Sequence, residues 1–267
     1  MTMLRKRFSG AWVGAALLLA AGLAEATPLT VSFSSGSLAA SATFDTSGTD
    51  LIMTLTNTSL FDVLVPADVL TAVFFDINGV GALGPTSALL DAGSAVFFGP
   101  DGGGNVGGEW AYAAGLAGAP GGATEGISSA GFGLFGAANF GGANLQGPAA
   151  VDGLQYGLTS AGDDTTTGNA AVTGGFALIQ NGVVFTLSGL PDGFDPSGAG
   201  NIANVSFQYG TSLTEPNCTG AGCFPSVPEP STVLLLGAGL ISVAGLGWAY
   251  RRRTARPDNR KGGHRLT

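Results

Sequence analysis

Between Thr27 and Pro230 the chain contains no lysine, no arginine and no histidine. All ten Lys and Arg residues lie at the ends: Arg5, Lys6 and Arg7, then Arg251, Arg252, Arg253, Arg256, Arg260, Lys261 and Arg265; the one histidine is His264. Each absence excludes a chemistry. A Ser-His-Asp or Cys-His nucleophile needs an imidazole beside it. Zinc hydrolysis lacks its nitrogen ligands. Phosphoryl transfer lacks its cationic clamps, and Gly102–Gly104 is not followed by the lysine of a phosphate-binding loop. Nucleic acid is excluded as a partner, because affinity for phosphate comes from neutralising it with Lys and Arg. A glycosidase built on two carboxylates survives on inventory alone, since nothing in the sequence marks a pair.

What is present is acid, glycine and alternation. All of the 18 Asp and Glu residues except Glu25 and Asp258 fall in the cation-free segment, so it carries the full negative charge of 16 carboxylates. Such a surface stays soluble and attracts divalent cations and basic partners. Leu29, Val31 and Phe33 interleave with polar residues, as do Leu51, Met53 and Leu55, then Val183, Phe185 and Leu187, then Val205, Phe207 and Tyr209. Period 2 predicts half-buried strands. Val69–Ile77 is apolar nearly throughout and predicts a strand buried on both faces. Asn78-Gly79 and Asn181-Gly182 predict hairpins, because Asn-Gly accommodates the positive φ of tight β-turns. With no long helical pattern in competition, the expected fold is all-β, an antiparallel β-sandwich with Gly-rich loops. The centre, from Gly99 to Gly147, reads either as long ordered loops with short strands around Trp110, Phe132 and Phe135 or as a partly disordered insertion; the spaced aromatics favour ordered loops.

The two ends read as instructions for export. Residues 1–26 begin MTMLRKR, continue with AWVGAALLLAAGLA and end in Ala24-Glu25-Ala26, the small-x-small pattern of a secretory signal peptide cut before Thr27. An uncleaved anchor is disfavoured by the shortness of the apolar stretch. Residues 27–212 are then the acidic sandwich domain, and 213–230 a Pro-rich stalk. Residues 231–250 are 20 uncharged residues, the length of a transmembrane helix, with Trp248 and Tyr250 as interfacial aromatics. Arg251, Arg252 and Arg253 stop translocation and open a basic cytoplasmic tail, 251–267. In an exported chain Cys218 and Cys223 of CTGAGC form one small disulfide loop, the alternative being two free thiols.

The order Val227-Pro228-Glu229-Pro230-Ser231, apolar span, Arg251-Arg252-Arg253 closely resembles the PEP-CTERM sorting signal of bacterial exosortase substrates. The resemblance implies a chain parked in the inner membrane, recognised by exosortase at Pro228, Glu229 and Pro230, cut nearby, and released to the cell surface or an exopolysaccharide matrix. Prolines 228 and 230 fix φ and keep Glu229 out of a helix, which suits a presented peptide. The 14 residues after the arginines are more than such signals usually carry. Two further passages, Leu55–Ile77 and LQYGLTSAGDDTTTGN (Leu154–Asn169), resemble a family of exosortase-dependent surface proteins with an Asp-Asp motif, which adds a class and no chemistry.

Three further candidates complete the reading. Asp163 and Asp164 are calcium candidates on ligand type, as are Asp192 and Asp195, although Asp-Asp beside Gly is also ordinary turn chemistry. Trp110, with Glu109 and Tyr112, is a core residue or a sugar platform. The expected function is that of a non-enzymatic surface or biofilm-matrix protein, structural or adhesive. The alternatives are a calcium- or glycan-binding module and a carboxylate-type hydrolase.

Overall fold

The computed structural model describes residues 26–218 and 224–226. The expected signal peptide apart from Ala26, the span 231–250, the tail 251–267 and the residues Cys223, Pro228, Glu229, Pro230, Arg251, Arg252 and Arg253 lie outside them. Among the described residues no helix is long and apolar enough to cross a membrane, and helix is confined to short 3-10 turns and one π turn, Ala171–Gly175.

The chain is all-β. Its strands are β1 (Leu29–Ser35), β2 (Leu38–Ser47), β3 (Asp50–Asn57), β4 (Leu70–Ile77), β5 (Gly84–Leu90), β6 (Ala95–Phe97) and β7 (Ala111–Ala114). After these come β8 (Glu125–Ser128), β9 (Leu158–Thr159), β10 (Leu178–Gln180), β11 (Gly182–Ser188), β12 (Ile202–Tyr209), β13 (Asn217–Cys218) and β14 (Phe224–Ser226). One sheet has the order β14-β1-β2-β3-β11-β5 and is antiparallel throughout. The other runs β13-β12-β4-β9-β10-β6, with β8 on β4 and β7 on β8; it is mixed, because β9 and β10 pair in parallel.

The alternation in the sequence sets which faces meet. In β3, Leu51, Met53 and Leu55 are buried while Ile52, Thr54 and Thr56 are less so, and β2 and β11 repeat the pattern with Phe44 and Phe185 inward. These side chains share one core with Val73, Phe75, Ile127 and Phe207 of the other sheet. Phe44 and Phe75 meet edge to face across it, 5.3 Å between centroids, and each such buried ring contributes about 1.5–3 kcal/mol.

β4 is buried on both faces, as its composition predicts. The second face is covered by the glycine-rich centre: Phe74 packs on Phe132 and Phe135 at 6.3 and 5.9 Å, with Ala119 and Ala123 beside it. That centre is therefore ordered loop, and its glycines allow backbones to touch. A Cβ on Gly108 would stand 1.9 Å from the Ala143 carbonyl oxygen, and one on Gly107 2.3 Å from that of Gly141. Buried Glu109 holds the same loop, its Oε1 accepting from the N–H groups of Leu145 and Gln146 at 2.6 and 2.9 Å.

Both expected hairpins are corners instead. β10 and β11 flank Asn181-Gly182 but belong to different sheets, and Asn78-Gly79 likewise carries the chain from β4 to β5 in the other sheet. Asn181 has φ 83° and Gly79 φ 77°, so Asn-Gly delivers the sharp turn without dictating which sheet the next strand joins. The tight hairpins are β1–β2 and β2–β3, turned by Gly36-Ser37 and Gly48-Thr49 with φ of 61° and 62° at the glycines. Part of the expected stalk is also paired: β13 lies on β12, and β14 lies on β1 with Pro225 opposite Val31. An extended, proline-bearing segment is suited to an edge strand.

Candidate functional site

The passages Leu55–Ile77 and Leu154–Asn169 meet in space. β3 ends at Asn57, whose buried Nδ2 donates to the Leu158 carbonyl of β9 at 3.1 Å and whose Oδ1 accepts from the Ser59 N–H at 3.2 Å. This fixes the loop after β3 beside the segment that leaves β9, Ser160 to Asn169. Gly162 permits the approach, since a Cβ there would stand 2.7 Å from the Leu60 carbonyl oxygen.

From there the contacts alternate between the two segments. The Ser160 hydroxyl donates to the Phe61 carbonyl at 2.6 Å. Asp163 Oδ1 accepts from the Val63 N–H at 3.0 Å. The Asp164 N–H donates to Asp62 Oδ1 at 3.0 Å, and the Thr167 hydroxyl donates to Asp62 Oδ2. The Asn169 N–H donates to the Leu64 carbonyl at 3.0 Å. Asp164 closes its own turn by accepting from the Thr166 N–H and hydroxyl at 3.0 and 2.7 Å. Gly168, at φ +83°, crosses close to Val63 and Leu64. The Asp-Asp motif is thus a clamp on residues 60–64.

The charges follow from the bonds. The Thr167 hydroxyl holds the Asp62 carboxyl below its ordinary range, and the Thr166 hydroxyl does the same for Asp164. Burial pushes Asp163 up, and its neighbour Asp62 adds to the rise. Burial likewise raises Glu109 and Glu125; Glu125 accepts a 2.6 Å hydrogen bond from the Tyr112 hydroxyl.

The expected calcium ligands Asp163 and Asp164 are brought together with Asp62, which the sequence reading had not singled out. Their carboxylates are engaged with N–H and hydroxyl groups, and among the described residues no set of three or more His, Cys, Asp or Glu side chains is gathered to hold a metal. Asp195 sits in a separate turn, accepting from the Ser197 N–H and hydroxyl at 2.9 and 2.8 Å. Trp110 is fully buried, edge to face with Phe185 at 5.0 Å, so it is core and no sugar platform. Cys218 is buried and disulfide-bonded.

On its outer side the clamped loop displays Leu60, Phe61, Leu64 and Val65. The signal for this in the sequence is SLFDVLVP, an apolar run with neither a period of 2 nor a helical period.

In sequence, the last described strand, β14, is followed directly by a proline-flanked acid and an apolar run. Residues 226–253 match the family model for the PEP-CTERM protein-sorting motif, so the chain carries a PEP-CTERM sorting motif, which indicates exosortase-dependent sorting. No curated protein and no solved structure matches the chain.

Proposed function

We propose that this is an exported, non-enzymatic surface or biofilm-matrix protein with a structural or adhesive role. Its acidic domain is a β-sandwich closed by the Cys218–Cys223 disulfide. After a transient stage in the inner membrane, exosortase recognises Pro228-Glu229-Pro230 and releases the domain to the cell surface or an exopolysaccharide matrix, where matrix components are its partners. The sorting-motif match at 226–253 carries this reading. The cation-free, histidine-free domain supports the non-enzymatic part, since it lacks the imidazole, ammonium and guanidinium groups on which many hydrolytic and transfer mechanisms rely.

The test is Glu229→Ala in cells that express exosortase. The expected result is an unprocessed chain that stays in the membrane fraction while its domain remains folded. Release of the variant at the normal rate would refute the sorting assignment.

A further inference from the structure

Single exposed apolar residues are ordinary on a protein surface, whereas a contiguous group of them marks a binding face. Leu60 is 85% exposed, Phe61 60%, Leu64 49% and Val65 43%, all within six residues. This loop is held in place. Val63 N–H is bonded to Asp163, the Phe61 and Leu64 carbonyls to Ser160 and Asn169, and the Leu64 and Val65 N–H groups to Asp68 Oδ2 at 3.3 and 3.4 Å. Ordering it in advance lowers the entropic cost of binding. Beside Leu60 and Phe61 lies a shallow groove lined by Ser34, Gly36, Ala39 and Thr58.

The direction the tip faces follows from register. β14 pairs Phe224 with Ser32 and Ser226 with Thr30, so it leaves the sheet at the end where β1 enters. The Gly36-Ser37 turn and the end of β3 at Asn57 lie at the other end, with Ala40 opposite Asn57. By register Ser226 and Thr30 stand level with Thr43, five residues along β2 from Leu38 at the turn, a separation of about 17 Å at ~3.3 Å per residue. Leu29, where β1 begins, and Ser226, where β14 ends, both lie toward the pole remote from the tip, and every cation in the chain lies beyond them in sequence. Around the tip stand Asp62, Asp68 and Asp164, in a domain without a Lys, Arg or His to balance them. A second copy would set these acids against themselves, and an anionic lipid or polysaccharide would be repelled.

We propose that Leu60, Phe61, Leu64 and Val65 form a preset docking tip for a cationic amphipathic segment of another protein. Its apolar side chains cover the tip and the groove, and its Lys or Arg residues face Asp62, Asp68 and Asp164. The orientation of the tip away from the membrane rests on the sorting reading; its docking chemistry does not.

The probe is a short synthetic peptide of leucine and lysine in an amphipathic pattern, titrated onto the full chain in phosphatidylcholine nanodiscs, with empty discs as blank. We expect saturable one-to-one binding, weakened about tenfold or more by the double substitution Leu60→Ser and Phe61→Ser, both at exposed sites. Replacing the peptide lysines by glutamine also weakens it, while Asp192→Asn on the chain, which removes one charge elsewhere, leaves it unchanged. Equal binding to the double variant means diffuse charge attraction and overturns the proposal. A dimer of the full chain that disappears in the double variant assigns the tip to a second copy and also overturns it. A polarity-sensitive dye on Phe61→Cys that shifts to the blue with phosphatidylcholine vesicles alone assigns it to lipid, with the same consequence. Because binding is read on unprocessed chain, these outcomes are independent of Glu229→Ala and of the sorting assignment.

Discussion

Asp163 accepts a hydrogen bond from the Val63 N–H at 3.0 Å, joining segments a hundred residues apart in the chain. The acceptor is needed here, since Val63 is buried and its N–H faces the motif. Asp163→Ala removes the acceptor and costs about 1–2 kcal/mol of stability. Asp163→Asn keeps a carbonyl oxygen in place and costs less. Amide hydrogen exchange provides the local readout: Val63 and its neighbours through Val65 should exchange faster in the alanine variant. Unchanged exchange at these positions would show that the Asp-Asp motif does not hold the loop.

The buried acids predict an unusual pH dependence. Burial raises the carboxyls of Glu109, Glu125 and Asp163. An acid whose folded pKa stands above its unfolded one binds more protons when folded, so its contribution falls as pH rises through that window and grows as pH falls. Asp62 and Asp164 act in the opposite sense, and their contribution is lost only as pH drops through lowered pKa values, below the ordinary 3.8. The melting temperature should therefore rise from neutrality into mild acid and decline below it. Protonation also relieves the repulsion among the domain's acids. Glu109→Gln keeps an oxygen for the Leu145 and Gln146 N–H groups and removes the charge, so it should raise the neutral melting temperature and flatten the rise. A melting temperature that falls steadily from neutrality into acid contradicts this account.

How much could be read from the chain depended on the range of the signal. Period 2 located β1, β3, β11 and β12, because burial on one face of a sheet is a local pattern; in β12, however, the polar face is covered too, with Ser206 and Gln208 fully buried. The apolar run of β4 announced burial on both faces, and Phe132 and Phe135 are what cover the second one. The Asn-Gly turns were visible as turns, but the sheet each following strand joins is settled by packing far away in sequence. The same limit hid the clamp. Asp163 and Asp164 were noticed as acids beside glycine, whereas their partners at 62 and 63 are set by the pairing of β9 with β4 and by the Asn57 bond to Leu158.

Trp110 separates a core role from a glycan-binding role. Its ring is fully buried against Phe185, and its indole N–H has no hydrogen-bond partner among the described residues. Trp110→Ala should cost about 3–5 kcal/mol, the range for deleting a large buried aromatic. Trp110→Phe should cost much less, since it removes an unsatisfied donor along with part of the volume. Chemical denaturation of the two variants measures both. If Trp110→Phe keeps its stability and loses binding on a glycan array, the ring has a role that its burial does not allow.

The glycine-rich centre makes the most exacting prediction, because two interpretations of its composition give opposite results. Were it loosely ordered, a methyl group at any of its glycines would have little effect or would stabilise slightly by restricting the unfolded chain. In the structure, Gly108 lies against the backbone of Ala143 and Asn144, where a Cβ would stand 1.9 Å from an oxygen and 2.6 Å from a nitrogen. Backbone on both sides leaves no flexible side chain to yield. Gly108→Ala must therefore push the 143–146 segment away and, with it, the N–H groups that bond to buried Glu109. The cost is at least the ~1–3 kcal/mol of overpacking, to which the unpaired carboxylate adds. Gly81 is the control: nothing lies within 4 Å of a Cβ there, so Gly81→Ala should be close to neutral. Equal melting temperatures for Gly108→Ala and Gly81→Ala would mean that the centre is not packed as described, and that the second face of β4 is covered in some other way.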